Sequence, residues 1–270
     1  MIAYKYLPFR SKEGSNFFEN FLLRYTQPSE LNDPYECSPL ITRVESSYVP
    51  FHWQNMGHHH LFEKIKYLTA TERELYFLNV AQGLTAKIQS GELDEQISRI
   101  EVLAKKNLDE NFGLLSLSKR RDHQLMWAHY AESASGYAVG FDLSHDYFMR
   151  PKWEPVKYSE ERAEAPLSGK APYLYTEEQL LTKHNDWSYE EEIRHIRPLG
   201  ERSKLVDESI YLFSIPQESI RCYIFGLKTS DEDMTALLKA TEKHSLKVDF
   251  FRAQLRKGKF GFDILEFHPS

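Results

Sequence analysis

The chain has 270 residues, 41% of them hydrophobic and 27% charged, with no low-complexity tract. That is enough to bury a large core and too apolar for a disordered chain. Lys and Arg total 34 against 40 Asp and Glu, a net charge of −6, which argues against a general nucleic-acid coat protein and leaves room only for a local basic patch.

Met1 to Phe9 reads as a strand closing at Pro8, with no secretory leader ahead of it. Asn16 to Leu23 carries Phe17, Phe18, Phe21 and Leu22 at helical spacing. Arg24 to Glu36 holds two prolines and an Asn-Asp pair, the composition of an ordered loop with turns. Residues 60–110 have helical periodicity, with Leu61, Ile65 and Leu68 on one stripe, Leu75, Leu78 and Val80 on part of another, and Leu93, Ile97, Ile100 and Leu103 continuing at helical spacing. The expectation is two or three helices, and a helical insertion or lid over 55–110 within a single domain spanning 1–270. His58, His59 and His60 are adjacent, so their side chains diverge, and they read as a solvated or partner-facing run.

Gly113 to Ser118 predicts a strand with Leu115 and Leu117 on one face and Ser116 and Ser118 on the other. Asp122 is the expected cap of a helix to about Glu132, followed by a turn to Gly136 and a strand over Tyr137 to Phe141. Pro151 to Tyr175 is irregular and proline-rich, a candidate mobile loop. A helix over Thr176 to Lys183 and strands at Glu191 to Arg197, Ser209 to Phe213 and Arg221 to Phe225 follow. Ser230 and Asp231 cap a helix to about His244, and two last strands, Lys247 to Gln254 and Phe260 to Glu266, are joined by a turn at Arg256 to Lys259. Strands separated irregularly by helices favour an α+β fold with a mixed, mainly antiparallel sheet. Cys37 and Cys222 cannot build a disulfide framework or a zinc site, and read as free thiols of a reducing cytosol. No apolar run approaches the roughly 18 residues of a membrane span, so a cytoplasmic protein without membrane contact is expected.

Two polar-aromatic islands stand out. The first, Leu114 to Ala131, leads a serine-bearing strand into a helix behind Lys119, Arg120 and Arg121. On that helix Trp127 and Tyr130 share one face, and Leu125 and His129 another. The second, Lys183 to Arg194, holds Trp187, Tyr189, Glu190, Glu191, Glu192 and Arg194. Continued as a strand, it puts Glu190, Glu192 and Arg194 on one side, where a carboxylate pair can serve as general base or stabilise a cationic transition state. The same residues also suit an ion-paired edge or a buried polar seam. Neither island has a metal-ligand spacing, a phosphate loop or a Gly-x-Ser-x-Gly elbow, so no metal is expected.

Tyr4 to Tyr6, Leu31 to Glu36 with its Asn-Asp-Pro, Leu117-Ser118, Leu125 to Ala131 and Gly136 to Asp142 resemble the bacterial domain-of-unknown-function family 2971. Lys183, Trp187, Glu190, Glu192 and Arg194 resemble its late motif. That resemblance implies no established activity. The order of elements is also similar to that of ADP-ribosyltransferases, which use an early basic residue, a serine-bearing strand before a helix, and a late Glu-x-Glu. On that likeness NAD is the co-substrate. Glu192, Glu190, Ser118 and His129 are the catalytic candidates. Lys5, Tyr6, Arg24, Asn32, Asp33, Ser116, Trp127, Tyr130, Trp187 and Arg194 are the ligand-binding ones. The expected partners are a nucleotide-like small molecule and a macromolecular acceptor, in a toxin or phage-defence role by loose analogy. A nuclease or phosphodiesterase, a non-catalytic nucleotide sensor, and a purely structural seam are the alternatives.

Overall fold

Strict alternation in Ile2–Leu7 (β1) sends Ala3 to one apolar cluster and Tyr4 and Tyr6 to another, so the first strand has two buried faces. The structure is a computed structural model that describes residues 1–10, 16–38, 40–169 and 177–269. The helix expected over Asn16 to Leu23 forms at Phe17–Asn20 (α1). Phe21 turns left-handed, with φ of 56°, and Leu22–Arg24 becomes a strand (β2). The expected helix to Leu23 is therefore cut short: Phe17 and Phe21 are both buried, but across a chain reversal and not along a helix face.

Helices follow at Tyr48–Asn55 (α2), His60–Glu63 (α3), Ala70–Gln89 (α4) and Asp94–Asn111 (α5). Thr69 opens α4 by a capping box with Glu72. Then come Phe112–Ser118 (β3), Gln124–Tyr130 (α6), Tyr137–Asp142 (β4), Asp146–Met149 (α7), Glu154–Pro155 (β5), Lys157–Ser159 (β6), Glu177–Leu181 (α8), Thr182–His184 (β7) and Glu192–Pro198 (β8). The chain ends with Lys204–Val206 (β9), Ile210–Ser214 (β10), Ile220–Phe225 (β11), Asp231–Lys243 (α9), Asp249–Leu255 (β12) and Phe262–Glu266 (β13). Of the proline-rich stretch expected as a loop over 151–175, residues 170–175 lie outside the described residues, as does Thr176 at the start of the expected helix.

The elements form two compact units. The first comprises Met1–Gln27, Asn111–Tyr158 and Asn185–Ser270. Its eight-stranded sheet has the order β13-β12-β11-β4-β1-β3-β8-β5; β11 and β12 run parallel and the other neighbours antiparallel, giving the mixed, mainly antiparallel α+β fold. One face carries an apolar core of Leu115, Leu117, Val139, Phe141, Ile193, Tyr223 and Phe225, covered in part by Leu237 of α9. Beside Gly136, at the entry to β4, the Leu7 carbonyl would lie 2.3 Å from an added Cβ, so the backbones approach as closely as glycine permits.

The second unit comprises Pro28–Glu110 and Ser159–His184. Its core gathers Ile41, Val44, Val49, Trp53, Ile65, Ala81 and Leu167. Lys183 and Glu36, 5% and 1% exposed, form a buried ion pair at 3.5 Å. Asp33 accepts from the Tyr35 backbone N–H at 2.9 Å and so fixes the Asn-Asp-Pro turn, while Asn32 is exposed. His58, His59 and His60 are all exposed, and Cys37 and Cys222 are buried and joined in no disulfide.

On β8 the alternation places His195 on the apolar face, fully buried. The Pro151 carbonyl can only accept, so His195 Nε2 donates to it at 2.9 Å and Nδ1 accepts from the Tyr25 hydroxyl at 2.7 Å. Tyr25 in turn accepts from Tyr147 at 3.1 Å. Burial pushes the imidazole down to about 4. The unfolded chain takes up the proton first as pH falls, so this stabilisation is whole above pH ~6.5 and drains away toward pH ~4. Urea unfolding at pH 7 and pH 4.5 is expected to show about 2–3 kcal/mol more acid loss in the wild type than in His195→Gln. Parallel losses would contradict a neutral buried histidine.

Candidate functional site

The first island and residues 185–194 of the second meet in the first unit, while Lys183 and His184 belong to the second. Antiparallel register sets Ser118 of β3 directly opposite Glu192 of β8, and Ser116 opposite Arg194, so all four side chains share the face away from the main core. Tyr4 of β1 pairs with Ser118 from the other side, making one row, Tyr4–Ser118–Glu192, across three adjacent strands. The alternation that directed Leu115 and Leu117 inward is as expected.

Glu190 does not continue that strand. Asn185–Glu190 is a 3-10 turn, Glu191 has a left-handed φ of 42°, and β8 starts only at Glu192. Glu190 still arrives beside the row, because the Ser118 hydroxyl donates to its backbone carbonyl at 2.5 Å. The Tyr130 hydroxyl of α6 donates to the Glu190 carboxylate. Ser118 Oγ also accepts from the Arg120 N–H at 3.0 Å, so this one hydroxyl ties β3, the following loop and the Glu190 turn together.

Glu192 and Arg194 form a two-point ion pair, with Nε–Oε1 2.9 Å and a second contact at 3.2 Å, and are 4% and 1% exposed. Glu192 N–H donates to the Tyr158 hydroxyl at 2.8 Å, a contact that nothing in the sequence flagged. Lys5 Nζ donates to the Ser116 carbonyl at 3.1 Å, and Tyr6 Oη to the Arg120 carbonyl at 2.8 Å. Arg24 is half-buried on β2, paired with Leu212 of β10.

The aromatic members are split by depth. Trp127 is fully buried, edge-on to Tyr6, with its indole N–H donating to the Arg121 carbonyl at 3.0 Å. Tyr130, Trp187 and Tyr189 are half-buried and His129 is exposed. His123 stacks on Tyr189 at 5.3 Å and 18°, and His129 lies 6.4 Å from the same ring. Burial, then the charge of Arg120, hold the His123 imidazole below its ordinary value. Asp122 is not the helix cap that its position suggested. Its carboxylate is engaged by Arg120 at 3.1 Å and Arg256 at 3.6 Å, and His123 occupies the cap position without a side-chain bond. Asn32 and Asp33 belong to the second unit.

The arrangement is thus a buried carboxylate–guanidinium pair beside a serine row, fringed by partly exposed rings. It defines an α+β protein with a polar seam on the less apolar face of its sheet. Residues 126–195, which run from α6 through most of β8, match the model of the family described as "Protein of unknown function (DUF2971)". The resemblance seen in the sequence holds over that stretch, which includes Trp127, His129, Tyr130, Trp187, Glu190, Glu192 and Arg194. No curated protein and no solved structure matches the chain. Among the described residues no cluster of three or more His, Cys, Asp or Glu is placed to hold a metal ion, and no helix is long and apolar enough to cross a membrane.

Proposed function

We propose that the first unit binds a nucleotide and acts as an NAD-dependent, ADP-ribosyltransferase-like enzyme. The row Tyr4–Ser118–Glu192 across neighbouring strands carries this reading, because it brings an early strand, a serine strand and a late glutamate strand to one face. In this chemistry the C1′–N bond of the nicotinamide riboside breaks and its electron pair leaves with nicotinamide. The acceptor's lone pair then bonds C1′. Glu192 holds a ribose hydroxyl and stabilises the oxocarbenium-like state, with Arg194 fixing its orientation. Glu190, steered by Tyr130, and His129 are the bases proposed for the acceptor's proton. A cytoplasmic toxin or phage-defence role accompanies this reading by analogy of chemistry alone.

The stacked His123–Tyr189 pair favours a second reading, a sensor that binds a nucleotide without turnover. Calorimetric titration with NAD and with ADP-ribose tests what both readings share. Both ligands are expected to bind, and Tyr189→Ala to weaken each about ten-fold, in line with the loss of one stacking ring. No binding of either ligand, or binding indifferent to Tyr189→Ala and Tyr130→Phe, would overturn nucleotide recognition at this site.

A further inference from the structure

Beyond the Glu192 row, the first unit has an open cleft of about 300 Å³ lined by Lys119, Arg120, Arg121, Arg256, Phe262 and Ile264, with Asp122 and Asp263. Its cations come from two segments far apart in sequence, the loop after β3 and the β12–β13 hairpin. Arg120 is held by Asp122 and Glu191, each at 3.1 Å, and Arg256 by Asp263 at 2.9 Å. Arg121 lies over the Phe251 ring, 5.3 Å from its centroid.

The hairpin turn that follows Arg256 adds Lys257 and Lys259, both exposed, and ends in Phe260, which is 94% exposed. A phenylalanine so bare at the tip of a turn has no role in any core formed by the described residues. Six cations here face three carboxylates, Asp122, Glu191 and Asp263, on a chain whose net charge is −6, so the patch is a local inversion of the surface field.

We infer that this cleft and hairpin bind single-stranded nucleic acid, with phosphates on Lys119, Arg121, Lys257 and Lys259 and a base stacked on Phe260. The chemistry needs both parts: cations spaced along a backbone, and aromatic or apolar surface between them for unpaired bases. Phe262 and Ile264 contribute to the lining of the cleft, but Phe262 is itself buried, so the ring open to a base is that of Phe260. A flat lipid surface cannot enter the cleft, and duplex bases are stacked away from it. The inference stands independently of NAD chemistry, although Arg120 touches both the cleft and Glu191 and so links the surface to the Glu190 turn.

Fluorescence anisotropy with a dye-labelled 15-nucleotide oligo-uridine, its deoxythymidine counterpart and a duplex, all at about 50 mM salt, tests it. Both single strands are expected to bind more tightly than the duplex. Lys257→Glu with Lys259→Glu is expected to weaken binding at least ten-fold and to lower the log–log salt slope by about 1.4, from roughly 0.7 per phosphate contact. Phe260→Ala is expected to weaken binding about ten-fold and leave that slope unchanged. These side chains are exposed at a hairpin tip, and circular dichroism of each variant reports that the fold is kept. Absent binding, a preference for duplex, indifference to the hairpin variants, or binding to phosphatidylserine vesicles in place of oligonucleotides would each overturn the inference.

Discussion

Glu192→Gln is expected to reduce nicotinamide release from NAD by a factor of roughly 10²–10⁴, the range that one positioned carboxylate contributes to such a transition state. The substitution keeps the shape and removes the charge. Its neighbours sharpen the test. Arg194 lies 2.9 Å from the same carboxylate, so the glutamine variant loses stability as well as charge. The rate must therefore be compared at a temperature where unfolding of both proteins is below a few per cent. Ser118→Ala is expected to act differently, since its hydroxyl donates to the Glu190 carbonyl and accepts from the Arg120 N–H. It loosens the Glu190 turn and costs about 1–3 kcal/mol of stability, with a smaller effect on rate at low temperature. A Glu192→Gln rate within about three-fold of wild type would remove the glutamate from the chemistry.

Arg194→Met is expected to be among the most destabilising single changes in the first unit, at about 3–5 kcal/mol. The guanidinium is 1% exposed and bonds both oxygens of a carboxylate that is itself 4% exposed, so its removal takes two charge-assisted bonds from a buried charge. Replacing both partners, Glu192→Gln with Arg194→Met, is expected to recover part of the loss, because the buried carboxylate charge goes too. Urea unfolding of the two single variants and the double variant measures that coupling. Additive losses would mean that the pair contributes little beyond its packing.

Much of this architecture is legible from periodicity. The Leu115/Leu117 and Ser116/Ser118 alternation specifies β3 and both its faces, and Ser230 is the cap its position suggests, accepting from the Asp233 N–H. The failures share a cause: a local pattern overridden by a partner far away in the chain. Asp122 has the sequence position of a cap, yet Arg120 and Arg256 take its carboxylate, and Arg256 lies more than a hundred residues downstream. Glu190 fits the period of β8, but Ser118 and Tyr130 hold it in a 3-10 turn that the left-handed Glu191 closes. Phe21 fits a helix stripe, but the chain turns left-handed there to begin β2.

At the site, residue type and density mark the two islands, and the register of β3 against β8 supplies what the linear sequence lacks: Ser118 opposite Glu192 and Ser116 opposite Arg194. Depth is the least legible property. Trp127 and His129 are two residues apart on one short helix, yet one is fully buried with its N–H satisfied and the other is exposed. The cleft lined by Arg256 and Phe262 is invisible in sequence, because it exists only once the last hairpin lies beside the loop after β3.

The most direct measurement is proton NMR of NAD incubated with the folded protein, with and without cell lysate as a source of acceptor, beside Glu192→Gln. Free nicotinamide is expected with the wild type, accelerated by lysate and lost in the variant. Intact NAD after prolonged incubation with the folded wild type and lysate would contradict NAD-dependent chemistry.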